Sequence, residues 1–128
     1  MPGSTLLDTT TVIALFAADT AVCDRIARAS VLVSSTVLGE LYYGALKSSR
    51  SASNLARIEE FASSVGVLAC DAGTARHYAQ VKERLRARGR PIPENDIWIA
   101  AVALQHSLPL ATRDDHFQAV EGLRVENW

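Results

Sequence analysis

Five short apolar runs, separated by one or two helical stretches, constrain this chain more than any other feature. Thr5-Leu6-Leu7, Val31-Leu32-Val33, the run within Val65–Cys70 around Val67-Leu68, Leu108-Pro109-Leu110-Ala111 and Leu123-Arg124-Val125 read as strands. Between them, Val12–Ala17, Ala21–Ala29, Val37–Leu46, Leu55–Ser63, Ala72–Arg88 and the stretch from Asp96 to His106 read as helices, with a short one at Phe117–Val120. Strands alternating with helices predict an α/β fold, a central parallel β-sheet flanked by helices on both faces. No run alternates strictly between apolar and polar residues, which implies that both faces of the sheet are covered. The punctuation agrees. Ser34, Ser35 and Thr36 offer N-cap hydroxyls, Asp71 caps the long helix, and Gly89 follows it where a left-handed residue is comfortable. Pro91 and Pro93 make a stiff loop that opens the Asp96 helix.

A chain of 128 residues, 48% of them hydrophobic, suits one domain, 1–128, with a full core. No apolar run approaches the roughly 20 residues of a membrane span. Met1-Pro2-Gly3-Ser4 lacks the basic segment of a signal peptide, so a cytoplasmic protein is the default expectation. Cys23 and Cys70 have no CxxC or Cys/His spacing, which argues against zinc; both are expected as buried, reduced thiols. The net charge of −1, from 13 basic against 14 acidic residues, argues against coating nucleic acid by bulk charge. It leaves room for a nuclease, whose metal-holding acids subtract from the count.

The acids are informative by position. Ligands of open parallel sheets bind beyond the carboxyl ends of the strands. Asp8 ends the first strand, Glu40 lies about one turn into the helix after the second, and Asp114 and Asp115 follow the fourth. Asp96 starts the helix that returns to that strand, so it belongs to the same rim. As plain helix-start acids, Asp8 and Asp96 would cap backbone N–H groups. As a cluster, the carboxylates would repel one another unless a hard divalent cation held them, and Mg²⁺ or Mn²⁺ prefers such oxygens. No histidine is expected to compete: His77 and His106 fall in helices and His116 just past the fourth acid. Such a cation polarises a phosphoryl group and activates water, the chemistry of phosphodiester hydrolysis.

Leu6-Leu7-Asp8-Thr9, Glu40-Leu41-Tyr42-Tyr43-Gly44, Asn95 to Ala101 and Thr112-Arg113-Asp114 resemble the four signature blocks of PIN domains, in the family's order. Gly122 to Trp128 resembles the tail of VapC-type toxins. The resemblance implies a PIN-like fold and an endoribonuclease dependent on Mg²⁺ (or Mn²⁺). It also implies an RNA substrate, a cognate VapB-type antitoxin and a homodimer. It carries the catalytic, metal-holding acids onto Asp8, Glu40, Asp96 and Asp114, with Asp114 preferred over Asp115 because it lies two residues after Thr112. It departs at Thr10, where many relatives have asparagine or serine, and little consequence is expected there.

Thr9 and Thr112 are hydroxyls placed to orient the acids. Gly44, four residues after Glu40, is either clearance beside the site or a packing contact. Lys82, Arg84, Arg86, Arg88 and Arg90 form a basic run opposed only by Glu83, read as a phosphate-contacting rim next to the Asp96 loop. Arg113 either contacts substrate or pairs with an acid. Trp98 is expected in the core, and one of Tyr42 and Tyr43 at the surface. The apolar surface of the Leu38–Leu46 helix and the following helix is the dimer contact that the resemblance, more than periodicity, implies. Two alternatives stand beside the nuclease: a receiver-like Mg²⁺-binding signalling domain, and a non-catalytic PIN-fold binding domain. Asp8 lacks the acidic neighbour that receivers carry, and all four acids are present.

Overall fold

The computed structural model describes residues 3–128. The elements run β1 (Ser4–Leu7), α1 (Thr9–Phe16), α2 (Thr20–Ala27), β2 (Ser30–Ser34), α3 (Ser35–Lys47), α4 (Ser51–Ser64), β3 (Gly66–Leu68), α5 (Ala72–Ala87), α6 (Glu94–Gln105), β4 (Leu110–Ala111), a 3-10 helix (Asp115–Ala119) and β5 (Val125–Glu126). Every strand pairing is parallel, in the order β3-β2-β1-β4-β5. Chain order therefore runs outward from β1 through β2 to β3, then returns to the other side of β1 with β4. With the right-handed crossovers usual for parallel strands, α1–α4 cover one face and α5–α6 the other. The reversal falls between β1 and β4, and the crevice beyond their carboxyl ends is where such sheets bind ligands.

Burial follows position in the sheet. Leu6, Leu7, Leu110 and Ala111 of the central pair are fully buried. The expectation that both faces are covered holds there and fails at the edge. β3 is only three residues long, and Gly66 and Val67 are exposed. Cys70 follows that edge and is exposed, against the expectation of a buried thiol; its Sγ lies beside the hydroxyls of Ser35 and Thr36. Cys23 is half-buried, and neither cysteine is in a disulfide. α6 is buried from Asp96 to Ala103 except at Trp98, so it is apolar on nearly every side, as a helix enclosed by its neighbours must be.

The helix ends obey local chemistry. Ser34 accepts from the Val37 N–H, and Asp71 with Thr74 forms a reciprocal capping box. α5 ends as expected at Gly89 (φ 65°): Gly89 N–H bonds Arg86 O and Arg90 N–H bonds Leu85 O. The same turn ends α6 with Ser107 (φ 55°) in glycine's place. Several boundaries differ from expectation, among them β4, which starts at Leu110 and not Leu108, and β5, which is Val125–Glu126 and not Leu123–Val125. α1 begins at Thr9, so the threonine run is helical and not a lead-in, and Thr11 Oγ1 donates to Ala111 O. α4 begins at Ser51, which leaves the polar break at residues 48–50. Among the described residues no helix is long and apolar enough to cross a membrane.

Candidate active site

The reversal point of the sheet brings the predicted acids to one rim. Asp8 follows β1 and is 3% exposed. It is the N-cap of α1 by position, yet its side chain caps nothing. Its Oδ2 instead accepts from Thr112 Oγ1 at 2.6 Å and Thr10 Oγ1 at 3.0 Å. Asp96 lies in the first turn of α6, whose N-cap is Pro93, and makes no cap bond either. The plain helix-start reading of these two acids therefore fails, because their carboxylates do not serve the helix. Glu40 reaches from α3, with Oε1 held by Thr9 Oγ1 at 2.9 Å. Asp114 follows β4; its backbone N–H donates to Thr112 Oγ1 at 2.9 Å, and its Oδ1 caps the 3-10 helix at the His116 N–H. Thr9 and Thr112 thus each hydrogen-bond an acid or its backbone.

Glu40, Pro93, Glu94, Asn95, Asp96, Asp114 and His116 line a pocket of about 410 Å³. Asp8 and Asp115 are not among its lining residues. Burial, then the charges of Asp114 and Asp8, push the Asp96 carboxyl up to about 6. Burial also raises Glu40, which Asp8 and Asp114 raise further against the Thr9 hydrogen bond. Among the described residues, no lysine or arginine forms an ion pair with any of the four acids.

The structure brings two further residues to the acids. His116 was expected not to compete, yet its Nδ1 lies 2.9 Å from Asp114 Oδ1 and 3.2 Å from Asp96 Oδ2. The charge of Asp114, its hydrogen bond and the nearby Asp96 raise the His116 pKa. Asp96, Asp114 and His116 present ligand atoms within 4.8 Å of one another; neither Asp8 nor Glu40 joins that group. Thr10 was expected to matter little, but it holds Asp8 and accepts the Arg113 N–H at 3.0 Å. A signal existed for both: Thr10 lies two residues after one acid and His116 two after another.

A PIN domain model matches residues 5–123 of this sequence. The chain belongs to the PIN-domain family. Within that family it is VapC-like. It is 42% identical over 97 residues to the tRNA(fMet)-specific endonuclease VapC of Shigella flexneri, covering 75% of this chain and 74% of that one. It is 34% identical over 128 residues to ribonuclease VapC5 of Mycobacterium tuberculosis, covering 94% and 90%. The DNA-bound VapBC structure from Salmonella typhimurium matches with a TM-score of 0.92 at 31% identity, over 98% of both chains.

The basic run of this PIN chain is less available than its sequence suggests. Lys82 Nζ pairs with Glu94, whose other oxygen takes the Tyr78 hydroxyl at 2.6 Å. Arg86 forks onto Glu83 at 2.7 and 2.8 Å, and Arg88 donates to Ala119 O at 3.2 Å. Arg113 pairs with Asp19 at 2.9 Å and donates from Nε to Trp128 O, which resolves its two readings toward the acid. Arg84 and Arg90 have no side-chain partner among the described residues. Trp98 is half-buried and stacked on Tyr78 at 4.0 Å, not enclosed in the core. Gly44 borders an apolar groove of about 280 Å³, where it provides clearance beside Glu40 and Thr9.

Proposed function

We propose that this chain acts as one Mg²⁺- or Mn²⁺-dependent endoribonuclease unit, the toxin of a VapBC-type pair, with Asp8, Glu40, Asp96 and Asp114 as its metal-holding catalytic acids. The observation that carries the reading is the state of those carboxylates. Each has one oxygen engaged by a hydroxyl, an N–H or the His116 imidazole, while no lysine or arginine neutralises any of them. An all-oxygen donor set with one adjacent imidazole fits a hard divalent cation, and Asp96 and Glu40 are raised first by burial and then by neighbouring carboxylates, both of which such a cation would offset. When bound, the cation polarises the scissile phosphate and lowers the pKa of a water.

The chain's own residues do the rest. Thr112 and Thr10 fix Asp8 through its Oδ2, which leaves Oδ1 without a hydroxyl partner. Thr112 also anchors the Asp114 backbone, so one hydroxyl sets the spacing of two acids. Thr9 fixes Glu40. His116 lies against Asp114 and Asp96 at the pocket wall, where its imidazole would offset their charge when protonated.

The partner follows from the relatives, whose solved structures include VapBC complexes. The apolar groove between α1, α3 and α4 runs up to Glu40 and Thr9, so a segment of a VapB-type antitoxin seated there would approach the acids. Exposed Tyr43 and Leu46 on α3, 62% and 65% accessible, support a homodimer through that helix. A receiver-like role has no support from these comparisons. The test is direct: purified chain, stripped of its partner, cuts RNA with Mg²⁺ or Mn²⁺ and stops in chelator. Cutting that continues in chelator, or in Asp96→Asn, would falsify the assignment.

A further inference from the structure

Beside the acid pocket lies a second cleft, also of about 410 Å³, within the roughly 300–1,000 Å³ range of small-ligand sites. The two meet at His116, which lines both. The boundary crosses two chain segments between consecutive residues: Pro93 and Asp114 face the acids, Ile92 and Asp115 the second cleft. A strand of RNA whose phosphate sits at the acids thus has its neighbouring nucleotide beside this cleft.

The lining suits a base. Pro91, Ile92 and Ala119 supply apolar surface on which an aromatic ring can lie. Arg90 and Asp115 supply a fork of donors and a pair of acceptors. No ion pair joins them, and neither side chain is bound to any other among the described residues. They differ in this from Lys82, Arg86, Arg88 and Arg113, each of which is occupied. Asp115 argues against a phosphate as the occupant and for a base edge carrying amino hydrogens, since a carboxylate accepts those and repels phosphate. Unstacked bases of single-stranded RNA are recognised in this way, by stacking and by hydrogen bonds to their edges.

We propose that the cleft between the Gly89–Pro93 loop and the 3-10 helix binds the base of the nucleotide adjacent to the scissile phosphate. Arg90 and Asp115 read its edge. The inference rests on the nuclease reading but concerns recognition, so it is tested without cutting. A pool of random single-stranded RNA hexamers is bound to the full chain in chelator, and the bound fraction is sequenced. Wild type enriches one base at one position. R90Q binds about tenfold more weakly, D115N changes the base enriched, and R86Q behaves as wild type. R90Q binding as well as wild type overturns the proposal, as does an unchanged preference in D115N or no binding by wild type. A wild type that shows the predicted preference yet never cuts with Mg²⁺ or Mn²⁺ sinks the nuclease reading and leaves the subsite standing.

Discussion

The acid rim and the basic run both look like functional charge in the sequence, and the fold treats them oppositely. The acids come from segments far apart in the chain and are partly or wholly buried, with no lysine or arginine against them. The basic residues lie within one stretch, stay exposed, and are mostly paired with local acids or carbonyls. Burying like charges costs free energy, which the one imidazole of His116 against Asp96 and Asp114 offsets only in part, and a cation bound from outside the chain would offset the rest. Exposed pairs on a helix surface cost and contribute little. Whether a charge is already committed therefore says more about function than how many charges stand together.

The largest effect should come from the rim. Asp96→Asn lowers RNA cutting at least about 10²-fold, the loss that even a group orienting a metal ligand can reach. The same variant reports the cost of holding this carboxylate buried among other acids. Asp96 ionises near 6 in the fold, above the ordinary carboxylate value of about 3.9. The stability its protonation contributes is present below about pH 4 and is lost as pH rises through about 6. In metal-free buffer, Asp96→Asn should therefore gain thermal stability relative to wild type across that window, by at most about 3 kcal/mol. Added Mg²⁺ should narrow the gap at pH 7. A melting difference flat from pH 4 to 7 would show that neither burial nor the neighbouring acids raise Asp96 and would erase the contrast between the two regions.

Removing the hydroxyl frame should come next. Thr112→Val strips the hydrogen bonds to both Asp8 and the Asp114 backbone, with an expected loss of about 10–100-fold in activity or metal affinity that Thr112→Ser largely restores. Thr10→Val should fall at the low end of that range, because Asp8 Oδ2 keeps its Thr112 bond. Thr10→Val matching wild type in metal titration would return Thr10 to the minor role its position suggested. The smallest effect belongs to the basic run. Arg86→Gln, which breaks an exposed pair with Glu83, should leave cutting and melting temperature at wild-type values. A clear loss of cutting there would show that a paired arginine still serves RNA.

Much of the fold was legible because its signals are local. Apolar runs, caps at Ser34 and Asp71, and Gly89 after a long helix depend on near neighbours, and the structure keeps each of them. The misreadings share a cause. Cys70 and Val67 were judged by their apolar neighbours, but exposure there depends on β3 lying at an edge, which strand order decides. Trp98 was assigned to the core by its place in an apolar helix, whereas its partner is Tyr78, twenty residues earlier.

Sequence alone determined the alternating architecture, the family, and which acids fall at strand and helix ends beyond the sheet's carboxyl edge, because hydrophobic period and motif order are written along the chain. Only the tertiary structure decided how those acids are held. The Thr10, Thr112 and Asp8 network and the His116 contact with Asp96 and Asp114 join segments that meet only where β1 and β4 pair. Hydrogen bonds and ion pairs reach about 3 Å. No spacing in the sequence conveys that distance for residues a hundred positions apart.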